Sequence, residues 1–431
     1  MSLTEVVLGG GGREEIERAE LPSHFTAAHL RIEDEQIFRG IVDKDVRRSL
    51  HIGEIPMPEL APDEVLIAMM ASSINYNTVW SAKFEPLSTF RYLRAFGKEG
   101  GWATRHDQPF HVLGSDGSGV VVRVGSGVRR WRPGDHVLAT PTYIDDQAPA
   151  AQADSVMTDH PLAWGFETNY GALAQFAVAR ASQILAKPAN LTWEDAASIP
   201  VCAGTAYRML VSDRGARMKQ GDIVLIWGAA GGLGAFAAQL VKSGGGIAVG
   251  VVGSEAKVDA ARQWGCDVVI NRQKIGLDGS TDDPALTIKA GKLLGSIIRR
   301  EVGEDPHIVF EHTGRATFGI SVFVVRRGGT VVTCGSSTGY HHEYDNRYLW
   351  MKIKRIIGSH GANLQEMAEC TRLFEYGLIK PTVGEVHPLS DVGEATRRVQ
   401  LNQHIGKVGV LCLAPQPGLG ITAPAGSGRI L

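Results

Sequence analysis

The sequence predicts an α/β protein in two parts, an antiparallel barrel-like domain and a doubly wound parallel sheet with helices on both faces. Two observations support this prediction. Short β-type runs separated by glycine and proline occupy residues 51 to about 187, as in antiparallel barrels. After Gly204 strands alternate with helical segments, which is the pattern of βαβ units in a parallel sheet.

Composition and charge exclude several classes of protein. The 431 residues suffice for two or three domains with buried cores. Hydrophobic residues make up 44% and charged residues 21%, which excludes a disordered chain, a coiled coil and a collagenous repeat. The charges of the 44 basic and 46 acidic residues nearly cancel. We therefore expect the protein to bind neither nucleic acid nor an anionic membrane. The 52 glycines are roughly 12% of the 431 residues, above the average share of about 7%. This excess indicates tight turns and close approaches of the backbone to ligands.

Signals for export, membrane insertion and structural metal are weak. The first residues lack a basic region followed by an apolar core, and no apolar run is long enough to span a membrane. The five cysteines are scattered and form no C-x-x-C pair. We therefore expect a cytoplasmic protein with reduced thiols, without a disulfide framework, membrane partner or structural zinc.

The elements of the first half follow from short strand-like runs and turn residues. We expect residues 1–50 to form a polar, helix-leaning extension that packs on the first domain. The tight turn Arg132-Pro133-Gly134-Asp135 is typical of a connection between strands. Two polar stretches, 144–160 and 272–292, are predicted as surface loops. The strands predicted here are 64–74, 119–125 and 135–140.

The second half shows the alternation of a parallel sheet. A return strand at 406–413 must join one of the two sheets, and the Pro/Gly-rich tail from Ala414 is predicted to be loose. The domain boundaries that follow are 1–200 with 368–431 for the catalytic or substrate domain, and 201–367 for the second domain. The second half's predicted strands are 222–227, 247–252, 267–270, 307–310, 330–334 and 355–360, and its first helices are 234–242 and 255–264.

A glycine-rich turn follows the first strand of this sheet and opens a helix, which is the context of a dinucleotide site. Gly228 permits the tight turn, and Gly231 with Gly232 lets backbone N–H groups approach a pyrophosphate. Gly234 allows close packing of helix and strand, and the helix N-terminus adds partial positive charge. The whole predicted turn reads Gly228-Ala229-Ala230-Gly231-Gly232-Leu233-Gly234.

The end of the next strand indicates which dinucleotide binds. An NAD site would place an acidic residue near Val252 to accept from the ribose 2′-hydroxyl. The chain has Ser254 and Lys257 there, with Arg272 after the following strand. A hydroxyl with two cations suits a 2′-phosphate. Glu255 opposes this interpretation unless it points to solvent, so the sequence favours NADPH.

Residues 114–119 separate this chain from metal-dependent relatives of the same architecture. The two halves and the return strand resemble the medium-chain dehydrogenase/reductase superfamily, which joins a GroES-like domain to a Rossmann domain. Its zinc alcohol dehydrogenases bind the metal with a Cys and a His-Glu pair. Here the corresponding stretch is Gly114-Ser115-Asp116-Gly117-Ser118-Gly119, without His or Cys. The resemblance implies hydride transfer without a metal, such as reduction of a C=C bond conjugated to a carbonyl.

Five segments between residues 71 and 360 carry a closer resemblance, to the crotonyl-CoA carboxylase/reductase family and its longer-chain relatives. In that family NADPH gives a hydride to Cβ of an enoyl-CoA, and the enolate attacks CO2 at Cα to yield a 2-alkylmalonyl-CoA. The segments are Ala71-Ser72-Ser73-Ile74-Asn75-Tyr76-Asn77-Thr78-Val79-Trp80, Trp164-Gly165-Phe166-Glu167-Thr168-Asn169, Phe310-Glu311-His312, Tyr344-Asp345-Asn346-Arg347-Tyr348-Leu349-Trp350 and Lys354-Arg355-Ile356-Ile357-Gly358-Ser359-His360.

The resemblance assigns four residues to the site where CO2 reacts. It implies that Asn77 supplies an amide and Phe166 a backbone N–H, while Glu167 and His360 hold an ordered water. Preorganised neutral donors stabilise the nascent carboxylate, and exclusion of bulk water suppresses protonation of the enolate. Considered alone, Asn77 could cap a turn, Glu167 could be a surface carboxylate and His360 a core histidine.

Other residues are assigned to the cofactor and to CoA. Thr205 and His312 complete the predicted cofactor-binding set. Arg327 and Arg347 match basic residues that contact CoA in the family, although solvated surface charge is the alternative for both. Arg214 stands where family members can carry Asn, so the adenine end of CoA is expected to bind differently here.

Two small residues bear on the acyl chain. Four-carbon members of the family tend to carry Ile and Phe at the positions of Ala163 and Gly361, which implies a longer or branched acyl group unless neighbouring side chains fill the space. The resemblance also implies dimers that pair into a tetramer. Two other functions stay open: an NADPH-dependent enoyl-CoA or quinone reductase that protonates the enolate, and a non-catalytic NADPH-binding protein.

Overall fold

The computed structural model of this chain describes residues 1–277 and 283–424, which form two compact units. Of the described residues, the first unit comprises 1–201, 363–376 and 383–424, and the second comprises 202–277, 283–362 and 377–382. The chain therefore returns to the first unit at Asn363 rather than at the predicted residue 368. The Asn363 amide donates to Asp154 of the first unit at 3.2 Å. Residues 377–382 belong to the second unit because Gln239 exchanges two hydrogen bonds with the Lys380 backbone.

Eighteen strands lie within the described residues. The strands are β1 (His24–Arg31), β2 (His51–Pro56), β3 (Glu64–Ile74), β4 (Phe110–Val112), β5 (Gly117–Val124), β6 (His136–Ala139), β7 (Thr142–Tyr143), β8 (Leu162–Ala163), β9 (Phe176–Arg180), β10 (Ile184–Ala186), β11 (Ile223–Trp227), β12 (Ile247–Val252), β13 (Val268–Asn271), β14 (Ile308–Glu311), β15 (Thr330–Thr333), β16 (Arg355–Gly358), β17 (Val383–Pro388) and β18 (Lys407–Leu411).

The α-helices of the same residues are mostly short. They are α1 (Leu3–Leu8), α2 (Arg13–Arg18), α3 (Tyr76–Lys83), α4 (Thr89–Gly97), α5 (Trp193–Ala197), α6 (Cys202–Leu210), α7 (Gly232–Ser243), α8 (Val258–Gln263), α9 (Pro284–Val302), α10 (Arg315–Val324), α11 (Asn346–Trp350), α12 (Leu364–Glu375) and α13 (Val392–Gln400). Within the described ranges no helix combines the length and the apolar character that a membrane span requires.

Strand β3 lies at the centre of the largest sheet of the first unit. All of its residues are buried, because the sheet pairs it on both edges and core side chains cover it. The strand order is β10-β6-β5-β3-β18-β17, with β9 also paired to β3. Strand β18 lies antiparallel to β3, pairing Val408 with Ile74, and parallel to β17. The predicted return strand therefore joins this sheet and not the parallel one.

The second unit is built on one parallel sheet with the order β13-β12-β11-β14-β15-β16. Counted from β11, this is the order 3-2-1-4-5-6 of dinucleotide-binding folds. Val224 of β11 pairs with Ala248 of β12 on one side and Ile308 of β14 on the other. The order reverses at β11, and ligands of such sheets bind outside the carboxyl end of the strands at that point. The predicted fold class, an antiparallel sheet domain with a doubly wound parallel sheet, is confirmed.

The N-terminal extension is not simply helix-leaning. Helices α1 and α2 are present, but His24–Arg31 forms strand β1, which pairs with β2 on one edge and β4 on the other. Phe25, Ala28 and Leu30 of this strand are buried. The prediction was wrong for this segment because the strands that pair with β1 are distant in sequence. The polar residues between its buried ones also obscure the strand pattern.

The predicted loop 272–292 is interrupted by a helix. Helix α9 begins at Pro284, and the Asp283 side chain accepts from the Ala285 N–H at 2.8 Å. A capping Asp followed by proline at the first helical position is a strong helix start, so the prediction was wrong from residue 284. Residues 278–282 of that predicted loop lie outside the described residues. The other predicted loop, 144–160, contains only the short 3-10 turns Pro149–Gln152 and Ser155–Met157.

The tail is packed up to residue 424 and is not loose as predicted. The Trp193 N–H donates to the Leu419 carbonyl at 2.8 Å, and the Gly418 N–H donates to Glu194 Oε1 at 2.7 Å. Gly420 lies against the Trp193 ring, where a Cβ would come within 2.8 Å of Nε1. These contacts with the start of α5 join residues that are distant in sequence. The composition of the Pro/Gly-rich tail therefore does not reveal them.

Candidate active site

The glycine turn of the second unit has the geometry of an anion site. Gly228 adopts a left-handed φ of 59°, which glycine accepts without strain. A Cβ at Gly234 would collide with the Gly228 carbonyl oxygen, so close packing of turn and helix requires a glycine there. Helix α7 begins at Gly232, and no side chain caps its first N–H groups. These groups are therefore available to a pyrophosphate.

His312 forms the floor of this turn. Its Nε2 atom lies 2.8 Å from the Trp227 carbonyl oxygen at the end of β11, and burial lowers the pKa of the imidazole. The neutral ring therefore donates to that carbonyl, and its Cε1 would lie 3.1 Å from a Cβ at Gly228. Beside it, the buried Glu311 accepts from the Gly314 N–H at 3.1 Å and the Ser321 hydroxyl at 2.6 Å. Glu311 thus fixes the start of α10, and His312 shapes the turn.

The end of β12 presents cations and no free carboxylate to a ligand. Glu255 accepts from Asn271 Nδ2 at 2.9 Å and pairs with Lys274 Nζ at 2.8 Å. These contacts, that with Lys274 first, lower the pKa of the Glu255 carboxyl. The Arg272 guanidinium lies against Gly253, with Nε 3.5 Å from where a Cβ would be. Burial lowers the pKa of the Lys257 ammonium. The Glu255 carboxylate is therefore neutralised by Lys274 and held by Asn271, and the cations Lys257 and Arg272 fit a 2′-phosphate.

In the first unit, Gly114 and Gly165 bring two loops into contact. Gly165 has a φ of 67°, and a Cβ there would collide with the Gly114 carbonyl oxygen. This approach places Ser115 beside the buried Trp164, whose carbonyl oxygen lies 2.6 Å from Ser115 Oγ. Trp164 is itself held by a hydrogen bond from Nε1 to the Val178 carbonyl at 2.8 Å. The two loops are thus locked together at their glycines.

Asn77 is held by the same serine. It lies in the first turn of α3, and its Nδ2 donates to Ser115 Oγ at 2.8 Å. Its Oδ1 atom is buried and has no hydrogen-bond partner among the described residues. One N–H of the Asn77 amide therefore has a partner in the protein, and the second N–H and Oδ1 are left for other groups.

The turn from Ala163 to Glu167 is closed by its own hydrogen bonds. The Phe166 and Glu167 N–H groups donate to the Ala163 carbonyl at 3.1 and 2.7 Å. The Glu167 carboxylate in return accepts from the Ala163 N–H at 2.7 Å. The Phe166 N–H, predicted to face CO2, thus has a partner in the turn and would share its hydrogen between two acceptors. The longer of the two bonds is the one to Phe166, so that sharing costs least there.

A buried charge network is centred on Asp116, the residue that follows Ser115. Asp116 is fully buried and accepts from Lys407 Nζ at 3.0 Å, Asn75 Nδ2 at 2.8 Å and the Ser73 hydroxyl at 2.7 Å. Lys407 belongs to the return strand β18. The network therefore joins β18, the end of β3 and the loop of Ser115, and breaking such a buried pair is strongly destabilising.

The remaining predicted residues are distributed as follows. Thr205 is buried in α6. His360 is exposed and follows the edge strand β16 by two residues, and it makes no hydrogen bond with the described residues. Arg347 forms a two-pronged ion pair with Asp345 at 3.0 and 2.6 Å, so a CoA phosphate would compete with that carboxylate. Arg327 donates to the carbonyl of the residue after α11 at 3.2 Å.

Sequence reasoning missed Ser115 and Tyr92. The Tyr92 ring of α4 lies 6.0 Å from the Phe166 ring, and burial together with the charge of Glu167 raises the pKa of Tyr92. In the sequence, Ser115 stands out only as part of a stretch without metal-binding residues. Its contacts lie 38 and 49 residues away in sequence, so no local pattern could reveal them.

Comparison with known protein families agrees with this architecture. Residues 61–189 match the family model of the alcohol dehydrogenase GroES-like domain, and residues 232–375 match that of zinc-binding dehydrogenases. Across 1–277 and 283–424, no group of three or more His, Cys, Asp or Glu side chains could hold a metal ion. The fold and the two matches define a medium-chain dehydrogenase/reductase.

Individual relatives narrow the class. The chain is 48% identical to the crotonyl-CoA reductase of Streptomyces collinus over 405 residues, covering 93% of this chain and 91% of that protein. It is 36% identical to the crotonyl-CoA carboxylase/reductase of Cereibacter sphaeroides over 383 residues, covering 86% of each. A similar solved structure is that of the 2-octenoyl-CoA carboxylase reductase CinF from a Streptomyces species, in complex with NADP and 2-octenoyl-CoA. It is 60% identical to this chain with a TM-score of 0.96, and the match covers 98% of this chain and 96% of that one. The chain belongs to the crotonyl-CoA carboxylase/reductase family.

Proposed function

We propose that this protein catalyses the NADPH-dependent reductive carboxylation of a 2-enoyl-CoA. The observation that carries the proposal is the 60% identity, over 98% of the chain, to a carboxylase reductase solved with NADP and 2-octenoyl-CoA. The geometry of the first unit agrees with it, because Ser115 holds the neutral Asn77 amide at 2.8 Å and leaves its second N–H for another group.

The reaction is balanced without an added proton. When bound, NADPH supplies a hydride to Cβ of the C=C bond and leaves as NADP⁺. The electron pair of that bond moves to Cα and the thioester carbonyl as an enolate. The enolate forms a C–C bond with CO2, and the negative charge moves to the new carboxylate. In the competing reduction, the enolate instead takes a proton from water and gives the saturated acyl-CoA.

The residues of the first unit select between these two outcomes. As CO2 reacts, its oxygens become anionic, and the second N–H of Asn77 is a preorganised donor for them. The Phe166 N–H is the second proposed donor. Glu167 keeps the Ala163–Glu167 turn closed through its bond to the Ala163 N–H. The proposed roles of Glu167 and His360 in holding a water rest on the family resemblance.

The residues of the second unit hold the cofactor. The turn from Gly228 to Gly234 and the N-terminus of α7 receive the pyrophosphate, and Thr205 and His312 complete the site. Ser254, Lys257 and Arg272 receive the 2′-phosphate that distinguishes NADPH from NADH.

Reversing the charge of Lys257 is expected to weaken NADPH selectively. A charge-assisted hydrogen bond contributes about 1.5–3 kcal/mol, so Lys257→Glu should raise the KM for NADPH by roughly tenfold to a hundredfold, with a smaller effect on NADH. Steady-state kinetics with both cofactors measure this. The matched control is Lys242→Glu, because Lys242 pairs with Asp267 at the far end of α7. Equal use of both cofactors by the unmodified protein would contradict the assignment.

The exposed edge of the parallel sheet supports self-association. Among the residues that the structure describes, strand β16 has only β15 as a neighbour, and exposed edges of this kind pair readily with another chain. Trp350, Met351 and Ile353 just before it are 63%, 54% and 65% exposed. We infer that two copies associate through this edge, and that dimers pair into a tetramer as the family resemblance implies. Light scattering at micromolar concentration should give a mass near four chains, and a monomer at that concentration would refute the inference.

The proposed function is tested by the products. Purified protein is incubated with NADPH and a 2-enoyl-CoA, with and without bicarbonate, and the acyl-CoA products are separated by mass. Reductive carboxylation predicts an alkylmalonyl-CoA with bicarbonate. An enoyl-CoA reductase would give saturated acyl-CoA in both cases, and a non-catalytic NADPH-binding protein would give neither product.

A further inference from the structure

We propose that Ser115 is a positioning residue that fixes the orientation of the Asn77 amide, an inference that rests on the proposed function. The Ser115 hydroxyl lies 2.6 Å from the Trp164 carbonyl oxygen and 2.8 Å from Asn77 Nδ2. A carbonyl oxygen only accepts, so the single hydroxyl hydrogen goes to Trp164. Ser115 then offers Asn77 only a lone pair, and the nitrogen of the amide must face it.

This arrangement excludes the reversed amide. In the reversed orientation, Asn77 Oδ1 would face a hydroxyl oxygen whose hydrogen is already given to Trp164, and two acceptors would be in contact. Ser115 therefore selects one of the two orientations that a carboxamide can adopt. Because an N–H attracts and a C=O repels the oxygens of a nascent carboxylate, that selection affects how well the site stabilises carboxylation.

The same hydroxyl also links the two proposed donors. Trp164 immediately precedes Gly165 and Phe166, so Ser115 bonds the Asn77 side chain to the turn that carries the Phe166 N–H. The contact of Gly114 with Gly165 fixes the backbone on either side of this link. Donors are most effective when a surrounding shell of hydrogen bonds and packing holds them in place. The link should therefore affect the fate of the enolate more than its formation.

Ser118 provides a matched control three residues away. Its hydroxyl donates to a tryptophan carbonyl, that of Trp193, at 2.6 Å, and the residue is buried like Ser115. It forms no hydrogen bond with Asn77 among the described residues. Ser118→Ala thus removes an equivalent buried hydrogen bond from the same loop and strand without touching the proposed donor.

The test measures the ratio of alkylmalonyl-CoA to saturated acyl-CoA formed at limiting CO2. The NADPH oxidised is followed in the same reaction. Ser115→Ala should lower the ratio by roughly threefold to tenfold, the usual worth of one hydrogen bond, and Ser115→Cys, which keeps a weak hydrogen-bonding group, by less. Ser118→Ala should keep the wild-type ratio. Because Ser115 acts mainly through Asn77, the effect of Ser115→Ala on the ratio should be much smaller in the Asn77→Leu background than in the wild type.

Two results would overturn the assignment of Ser115. One is a wild-type ratio in both Ser115→Ala and Ser115→Cys. The other is an additive loss in the double variant, which would indicate that Ser115 acts independently of Asn77. A wild-type protein that forms only saturated acyl-CoA contradicts the proposed function itself, and the role of Ser115 with it.

Discussion

Replacing Asn77 with leucine is expected to turn the protein from a carboxylase towards a simple reductase. The substitution removes the proposed amide donor to the nascent carboxylate. Loss of one such donor costs on the order of 3 kcal/mol in the stabilised step, which corresponds to about a hundredfold in the ratio of alkylmalonyl-CoA to saturated acyl-CoA. The measurement is the product ratio by mass spectrometry at fixed bicarbonate, with NADPH oxidation followed in parallel.

His360→Asn is the companion variant, because the family resemblance assigns it to the same step. We expect it to shift the products in the same direction. His360 is exposed and makes no hydrogen bond with the described residues, so the variant should leave the unfolding temperature close to that of the wild type. If both variants carboxylate as fully as the unmodified protein, the proposed CO2 site is wrong.

The second large effect concerns the length of the acyl chain. If the small residues Ala163 and Gly361 leave room for substrate, the protein should prefer 2-enoyl-CoAs of six to eight carbons, or branched ones, over crotonyl-CoA. Each further buried CH₂ contributes about 0.8 kcal/mol, or roughly fourfold in kcat/KM per methylene. The measurement is kcat/KM across a chain-length series, with crotonyl-CoA as the shortest member.

The backbone conformation at Gly361 determines which control variant this test needs. Gly361 has a φ of 55°, so any side chain placed there strains the backbone. Gly361→Phe, which should restore preference for four carbons, must therefore be compared with Gly361→Ala, which adds the same strain with little volume. Ala163 lies in β8, and Ala163→Ile should act in the same direction. A wild-type optimum at crotonyl-CoA that none of these variants shifts would show that the two positions do not shape the acyl site.

Local patterns identified most of the parallel sheet and the centre of the first sheet. Strands β3 and β12 have the predicted bounds because each is a continuous apolar or small-residue run between turn residues. The glycine turn was readable because strand, turn and helix are consecutive in the chain. The sequence does not identify the partner of β18, since the pairing of Val408 with Ile74 spans most of the chain.

The candidate site was less accessible to sequence reasoning for the same physical reason. Asn77 and Glu167 could be named through resemblance, but Ser115 acquires its role only when Gly165 packs on Gly114. Arg347 was assigned to CoA through the family resemblance, and its ion pair with Asp345 two residues earlier was not foreseen; the CoA contact stays a prediction. Polar side chains are defined by their partners, and those partners are set by the tertiary structure.

The most direct test of reductive carboxylation follows the oxidation of NADPH and the incorporation of CO2 in the same reaction. The protein is supplied with NADPH, a medium-chain 2-enoyl-CoA and isotopically labelled bicarbonate, and labelled carboxyl groups are counted against NADPH oxidised. Reductive carboxylation predicts a ratio close to one label per NADPH at saturating CO2. Oxidation of NADPH with unlabelled, saturated acyl-CoA as the product would contradict the account.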